Sequence, residues 1–259
     1  MKTPVRTIVL ANNRVGLEGL SILRDAGAGI EGLVVHAPKD GRRRDEIVAA
    51  AALPPDRVFD APALRTPDGL ERVRAIGAEL AVSLFFGHIL RQEFIDLFPK
   101  GVMNVHPALL PWNRGSYPNV WAIVDRTPAG ATVHFIDAGV DTGDVIAQRE
   151  VTVEPWDTGK TLYVRLEEAC LSLLRGSFPA IARGEAPDRR PQPEGGTSHR
   201  ARDVARIDEI VLDREYRARD LIDVLRARTF EPHPGAWFRT EDGAKVYLRL
   251  ELIREEPPE

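Results

Sequence analysis

The stretch GVMNVHPALLPWNRGSYPNVW, Gly101 to Trp121, places Asn104 and His106 two positions apart in an otherwise apolar run. An imidazole moves protons near neutral pH, and a side-chain amide can donate a hydrogen bond to a developing oxyanion. In an extended strand such residues project to the same side, and Pro107 keeps His106 extended while ending the ladder. A backbone-satisfied histidine, with Asn104 capping a turn, fits these two residues equally well. A carboxylate shifts the balance. AGVDTGD offers Asp141 in a glycine-flanked turn, and beside the strand end it would fix the tautomer of the imidazole and stabilise the imidazolium. Asn104, His106 and Asp141 would then supply an oxyanion donor, a general base and its electrostatic partner, with no serine or cysteine nucleophile. That set suits direct attack of an amine on an acyl carbon; Asp144, after the glycine, is the neighbouring alternative carboxylate.

Positioning these groups requires a strand end, and the pattern supplies one. Short β-rich runs, Thr7 to Ala11, Ile30 to Ala37, Arg57 to Asp60, Glu79 to Phe86 and Gly101 to His106, alternate with helical spacing over Val15 to Ala26, Arg44 to Leu53, Asp68 to Gly77 and Arg91 to Phe98. The expected fold class is α/β: an open, mostly parallel Rossmann-like sheet, with ligands at the carboxyl ends of its strands. GATVHFID and GDVIAQREVTV then read as an antiparallel edge joined by the Asp141 turn. A long helix starts near Asp157 or Thr158, with Leu162, Leu166, Ala169, Cys170, Leu173 and Leu174 on one face. His134, alternating with Val133 and Phe135, reads as structural. The expected division is 1–183 as the catalytic domain, 184–203 as a linker or surface loop rich in proline, glycine and charge, and 204–259 as a small helix and β-hairpin.

The 259 residues, 43% hydrophobic and 29% charged, describe an ordinary globular protein. A net charge of −4 argues against a binder that works mainly by neutralising nucleic-acid phosphates. The single cysteine, Cys170 in an apolar run, excludes an intrachain disulfide and a thiolate metal cluster. No histidine at ligand spacing joins His106 and Asp141, so no metal is expected. With no signal-like or membrane-length apolar segment, the expected location is the cytoplasm.

MNVHPALLPWNRGSYP together with AGVDTGDVI resembles the folate-dependent formyltransferases, from the first strand to about residue 180. The resemblance implies transfer of a formyl group from N10-formyltetrahydrofolate to a primary amine, with Asn104, His106 and Asp141 at the catalytic positions. It also implies a pterin slot formed by Ser83 to Leu90 and the Asp137 to Asp141 turn, with Phe86, His88, Ile89, Leu90, Asp137 and Val140 as folate-binding residues; the apolar ones, Phe85 included, read equally as core. By its short C-terminal region the chain is most similar to the sugar N-formyltransferases, implying a nucleotide-linked amino sugar as acceptor and a homodimer. Asn12, Arg14, Arg114, Tyr117 and Trp121 are then acceptor-side candidates, while polar-turn chemistry for Asn12 and Arg14 and helix packing for Tyr117 and Trp121 explain the same residues. ANNRVGLEGL has only Gly16 and Gly19 where a dinucleotide fingerprint would need three glycines. The alternatives are a methionyl-tRNA formyltransferase, whose larger basic C-terminal domain contrasts with the acidic REEPPE end here, and a formyltetrahydrofolate hydrolase, whose leading regulatory domain has no room before the first strand.

Overall fold

The computed structural model describes residues 4–255. In chain order the strands are β1 (Arg6–Ala11), β2 (Gly29–Val35), β3 (Val58–Asp60), β4 (Leu80–Leu84), β5 (Val102–His106), β6 (Arg114–Gly115), β7 (Ala129–Phe135), β8 (Val145–Val151), β9 (Ser198–His199), β10 (Trp237–Arg239) and β11 (Lys245–Tyr247). The helices are α1 (Asn13–Asp25), α2 (Arg44–Ala51), α3 (Pro67–Ile76), α4 (Gln92–Ile95), α5 (Pro118–Val124), α6 (Gly159–Ala182), α7 (Ala205–Asp208) and α8 (Ala218–Ala227). The described residues form two compact units, one of residues 4–106, 131–149 and 168–193, the other of 107–130, 150–167 and 194–255.

A seven-stranded sheet runs in the order β3-β2-β1-β4-β5-β7-β8. β1 through β5 pair in parallel, and β7 lies antiparallel to β5. This is the expected mostly parallel α/β sheet with an antiparallel edge. β1 and β4 are almost wholly apolar because helices cover both faces. Gly16 and Gly19 serve that packing: a Cβ on Gly19 would lie 2.8 Å from Leu84 Cδ1, and one on Gly16 3.1 Å from the Ala11 Cβ. Their spacing lets α1 sit close on the sheet. Local chemistry sets the helix ends. At α3, Pro67 occupies the first turn, the Thr66 hydroxyl accepts from Gly69 N–H at 3.1 Å, and Gly77 closes the helix at φ 64°. The helical spacing over Arg91 to Phe98 yields only the short α4, because Leu97 and Phe98 bond to residues three back and Pro99 disfavours a helical Phe98.

In the second unit α5 packs with α8 around Val120, Ile123, Leu162, Leu166 and Ala227. Arg126 of that unit holds Asp220 and, at 2.9 Å, Asp223, which also meets the buried Arg226 at 2.7 Å. The expected C-terminal helix is α8, and the expected hairpin is the β10-β11 pair across the TEDGA turn. Within 184–203, Ser198–His199 pair in parallel with Arg114–Gly115. Among the described residues no helix is long and apolar enough to cross a membrane.

Candidate active site

The antiparallel register of β5 and β7 sets the centre of the site. Asn104 lies opposite His134, and His106 opposite Thr132. Directly opposed residues share a face, as do residues two apart, so all four side chains project to one side of the sheet. Both histidines are buried. The turn after β7 then brings in Asp141, a non-glycine residue at φ 53°, with its carboxylate between the two rings. Oδ2 is 3.7 Å from His106 Nδ1 and Oδ1 is 3.6 Å from His134 Nε2. Asn104, His106 and Asp141 therefore converge.

His134 is the residue that the sequence pattern assigned to structure alone, and the geometry adds a role in the cluster. Its Nδ1 donates to the Phe135 carbonyl at 2.8 Å, so in the neutral ring Nε2 is the acceptor, and Asn104 Nδ2 donates to it at 3.1 Å. Burial pushes His134 down to about 4, against the smaller opposing pull of Asp141. At neutral pH the ring is uncharged, with both nitrogens engaged. It is a fixed acceptor that orients one N–H of Asn104 and leaves the second for another oxygen. The signal was present in GATVHFID, where Thr132 and His134 repeat the two-residue polar spacing of Asn104 and His106. Only the register relates the two pairs. Asp144, the alternative carboxylate, contributes its backbone carbonyl to Phe135 N–H at 2.9 Å.

The segment after β4 forms one wall of a cavity of about 120 Å³. Phe86, Ile89, Leu90 and Phe94 line it with Leu64 of the 61–65 turn, and His88, Arg65 and Arg91 add polar groups. The 61–65 turn supplies the rest of the lining of this cavity, and Asp137 and Val140 are not among its lining residues. Phe86 is also a core residue, packed with Phe94 and Phe98, whereas Phe85 stands half-buried at φ 54°. His88, exposed on the loop, is held below the usual histidine range, first by partial desolvation and then by the neighbouring His36. Ile89 and Val140 are 78% and 48% exposed. Asp137 organises its own turn, accepting from Gly139 N–H at 3.0 Å and the Thr142 hydroxyl at 2.6 Å. The Asp141 turn is thereby fixed from its first residue.

The acceptor-side candidates lie in both units. Asn12 Oδ1 accepts from Arg42 N–H at 3.0 Å, tying the loop after β1 to the loop after β2. Arg14 reaches Glu18 at 2.6 Å and also Glu168, and these carboxylates raise its already high proton affinity. Its charge is matched within the unit, which makes it a tie between α1 and α6. In the second unit Arg114 is half-buried, and its guanidinium approaches the Gly195 carbonyl at 3.4 Å. Tyr117, at φ 57° before α5, is 46% exposed. Trp121 is 6% exposed and stacks on His199 at 4.1 Å with an interplanar angle of 7°. The ring packs against that imidazole of β9, and little of it reaches solvent.

Known proteins share this architecture. Residues 16–175 match the family model described as formyl transferase, and residues 203–255 match one described as the N-formyltransferase dimerization C-terminal domain. A 4-N formyltransferase from Francisella tularensis has the same fold, with a TM-score of 0.84 at 23% identity, over 98% of this chain and all of that one. A candidate sugar N-formyltransferase from Mycobacterium tuberculosis is 28% identical with a TM-score of 0.78, over 98% of this chain and 100% of its own. The formyltransferase PseJ from Anoxybacillus kamchatkensis, solved with UDP-4,6-dideoxy-4-formamido-L-AltNAc and tetrahydrofolate, is 28% identical with a TM-score of 0.54, over 78% of this chain and 88% of that one.

Proposed function

We propose, from the premise that the chain belongs to the formyl transferase family, that it transfers a formyl group from N10-formyltetrahydrofolate to the primary amine of a nucleotide-linked amino sugar. The observation that carries the reading is the convergence of His106, Asp141 and an Asn104 amide anchored on a neutral His134. As the amine nitrogen bonds to the formyl carbon, His106 accepts the amine proton. The N–H of Asn104 not held by His134 meets the negative charge building on the carbonyl oxygen. Asp141 offsets the positive charge on the imidazolium, which returns its proton to the departing folate nitrogen. The donor supplies the activated formyl carbon. The largely apolar cavity between residues 61–65 and 86–94, with the cations Arg65 and Arg91 at its wall, suits a flat aromatic group with an anionic tail. Ile89 and Val140 add apolar surface on the two loops.

The nucleotide-linked 4-formamido sugar bound by PseJ supports the choice of acceptor, and the match over residues 203–255 supports pairing of two copies through the C-terminal region. We place the reaction in the cytoplasm and assign the catalysis to 1–183, with 184–203 as the connecting segment and 204–259 as the pairing region. The test is to incubate the protein with N10-formyltetrahydrofolate and a panel of nucleotide-linked amino sugars, expecting a mass gain of one formyl group. Asn104→Ala and His106→Ala should each slow single turnover about 10²-fold or more. Near-native rates in both variants sink the assignment. Formyl release to water without amine identifies a hydrolase, and activity on methionyl-tRNA alone overturns the sugar.

A further inference from the structure

We infer that Gln192 is a positioning residue for this reaction: its side-chain amide holds the turn that carries Asp141, and so sets the placement of that carboxylate against His106. The inference rests on the reading of Asp141 given above. Gln192 Nε2 donates to two backbone carbonyls, Asp141 at 2.8 Å and Gly143 at 2.9 Å, spending both amide protons on one turn. Asp141 adopts φ 53°, the left-handed conformation that is uncommon outside glycine and that aspartate and asparagine accept more readily than other residues, so hydrogen bonds to its turn help to keep it there. The Asp137 carboxylate clamps the start of the turn, and Gln192 clamps its far half.

The residues around Gln192 are built to hold it there. Arg190 and Val145 exchange two backbone hydrogen bonds, Val145 N–H to Arg190 O at 2.8 Å and the reverse at 3.0 Å. This antiparallel bridge aligns the strap, residues 189–193, with the first residue of β8. The Arg189 guanidinium lies 3.6 Å from the centre of the Phe135 ring, at the end of β7. Pro191 and Pro193 flank Gln192, restricting the backbone on both sides. One side of the strap is thus tied to each strand that enters or leaves the turn. Chemistry fixes the residue type as well. Methionine would match the length without a donor, and glutamate would aim acceptors at two carbonyl oxygens.

The test compares Gln192→Met with the parent protein in two readouts. Deuterium uptake by residues 137–145 should rise at least about tenfold in rate, while β5 and β7 keep their protection. With N10-formyltetrahydrofolate and UDP-4-amino-4,6-dideoxy-L-AltNAc, or the amine selected by the panel, kcat should fall between about 10- and 100-fold, the scale of a small misplacement of a reacting group, with the amine KM within about twofold. A residue acting through Asp141 has little left to lose once Asp141 is gone. In an Asp141→Asn background Gln192→Met should therefore cost less than about threefold further. Unchanged exchange of the turn, or a full and multiplicative loss on top of Asp141→Asn, overturns the inference. A slow Asp141→Asn with a parent-like Gln192→Met sinks this inference alone, whereas a parent-like Asp141→Asn sinks the catalytic reading and this one with it. If the methionine variant does not fold, Gln192→Glu carries the same expectations.

Discussion

Replacing His134 by glutamine separates its titration from its hydrogen bond. A glutamine carbonyl can still accept from Asn104 Nδ2, but it has no proton to gain. His134 is fully buried and held down at about 4, against an ordinary value of 6.5. Between those two values the unfolded chain binds a proton at this position and the folded chain does not, so stability rises with pH there. The contribution is complete above about 6.5 and is lost as pH falls towards 4. Each pH unit in that window corresponds to about 1.4 kcal/mol, which amounts to about 2 kcal/mol lost by pH 5 and about 3 kcal/mol by pH 4. Urea unfolding of both proteins at pH 7.5, 6, 5 and 4 measures the difference. The parent should lose that much more stability than His134→Gln over the range. Parallel pH dependences would refute the burial argument and, with it, the assignment of His134 as an uncharged acceptor.

Ile89→Asp should raise the KM for the folate donor at least about tenfold while leaving the thermal midpoint within about 2 °C, because an exposed side chain contributes little to stability; steady-state kinetics and a melting curve decide it. Gly19→Val should destabilise by about 1–3 kcal/mol in urea unfolding, since its Cβ meets a buried Leu84 methyl at 2.8 Å. Asp223→Ala leaves the buried Arg226 guanidinium without its carboxylate and should cost about 3 kcal/mol, read from the same unfolding experiment.

The parallel half of the sheet was legible because buried strands write themselves as continuous Val, Ile and Leu runs between helical spacings, and β1, β2, β4 and β5 fall where those runs lie. Asn104 and His106 were legible from strand periodicity, and Asp141 from its glycine-flanked turn. His134 was not, because its partner is set by the pairing register of two strands, a relation between distant segments that no local pattern encodes. Gln192 was hidden for a related reason: one glutamine between prolines reads as loop composition, and only the fold brings it against the Asp141 turn. Trp121 shows the converse limit. Its spacing after Arg114 allowed both ligand contact and packing, and the stack on His199 supplies the packing. The shortness of α4 follows from Pro99, a signal that was local and available.

The β5-β7 pairing also gives the reacting groups unequal durability. Asn104, His106 and His134 belong to an interior ladder of the sheet, where opening requires breaking strand pairing on both sides. Asp141 belongs to a turn held by a handful of hydrogen bonds. The two halves of the chemistry therefore rest on different supports: the proton-handling and oxyanion-facing groups persist as long as the sheet does, and the placement of the carboxylate lasts as long as the hydrogen bonds of its own turn.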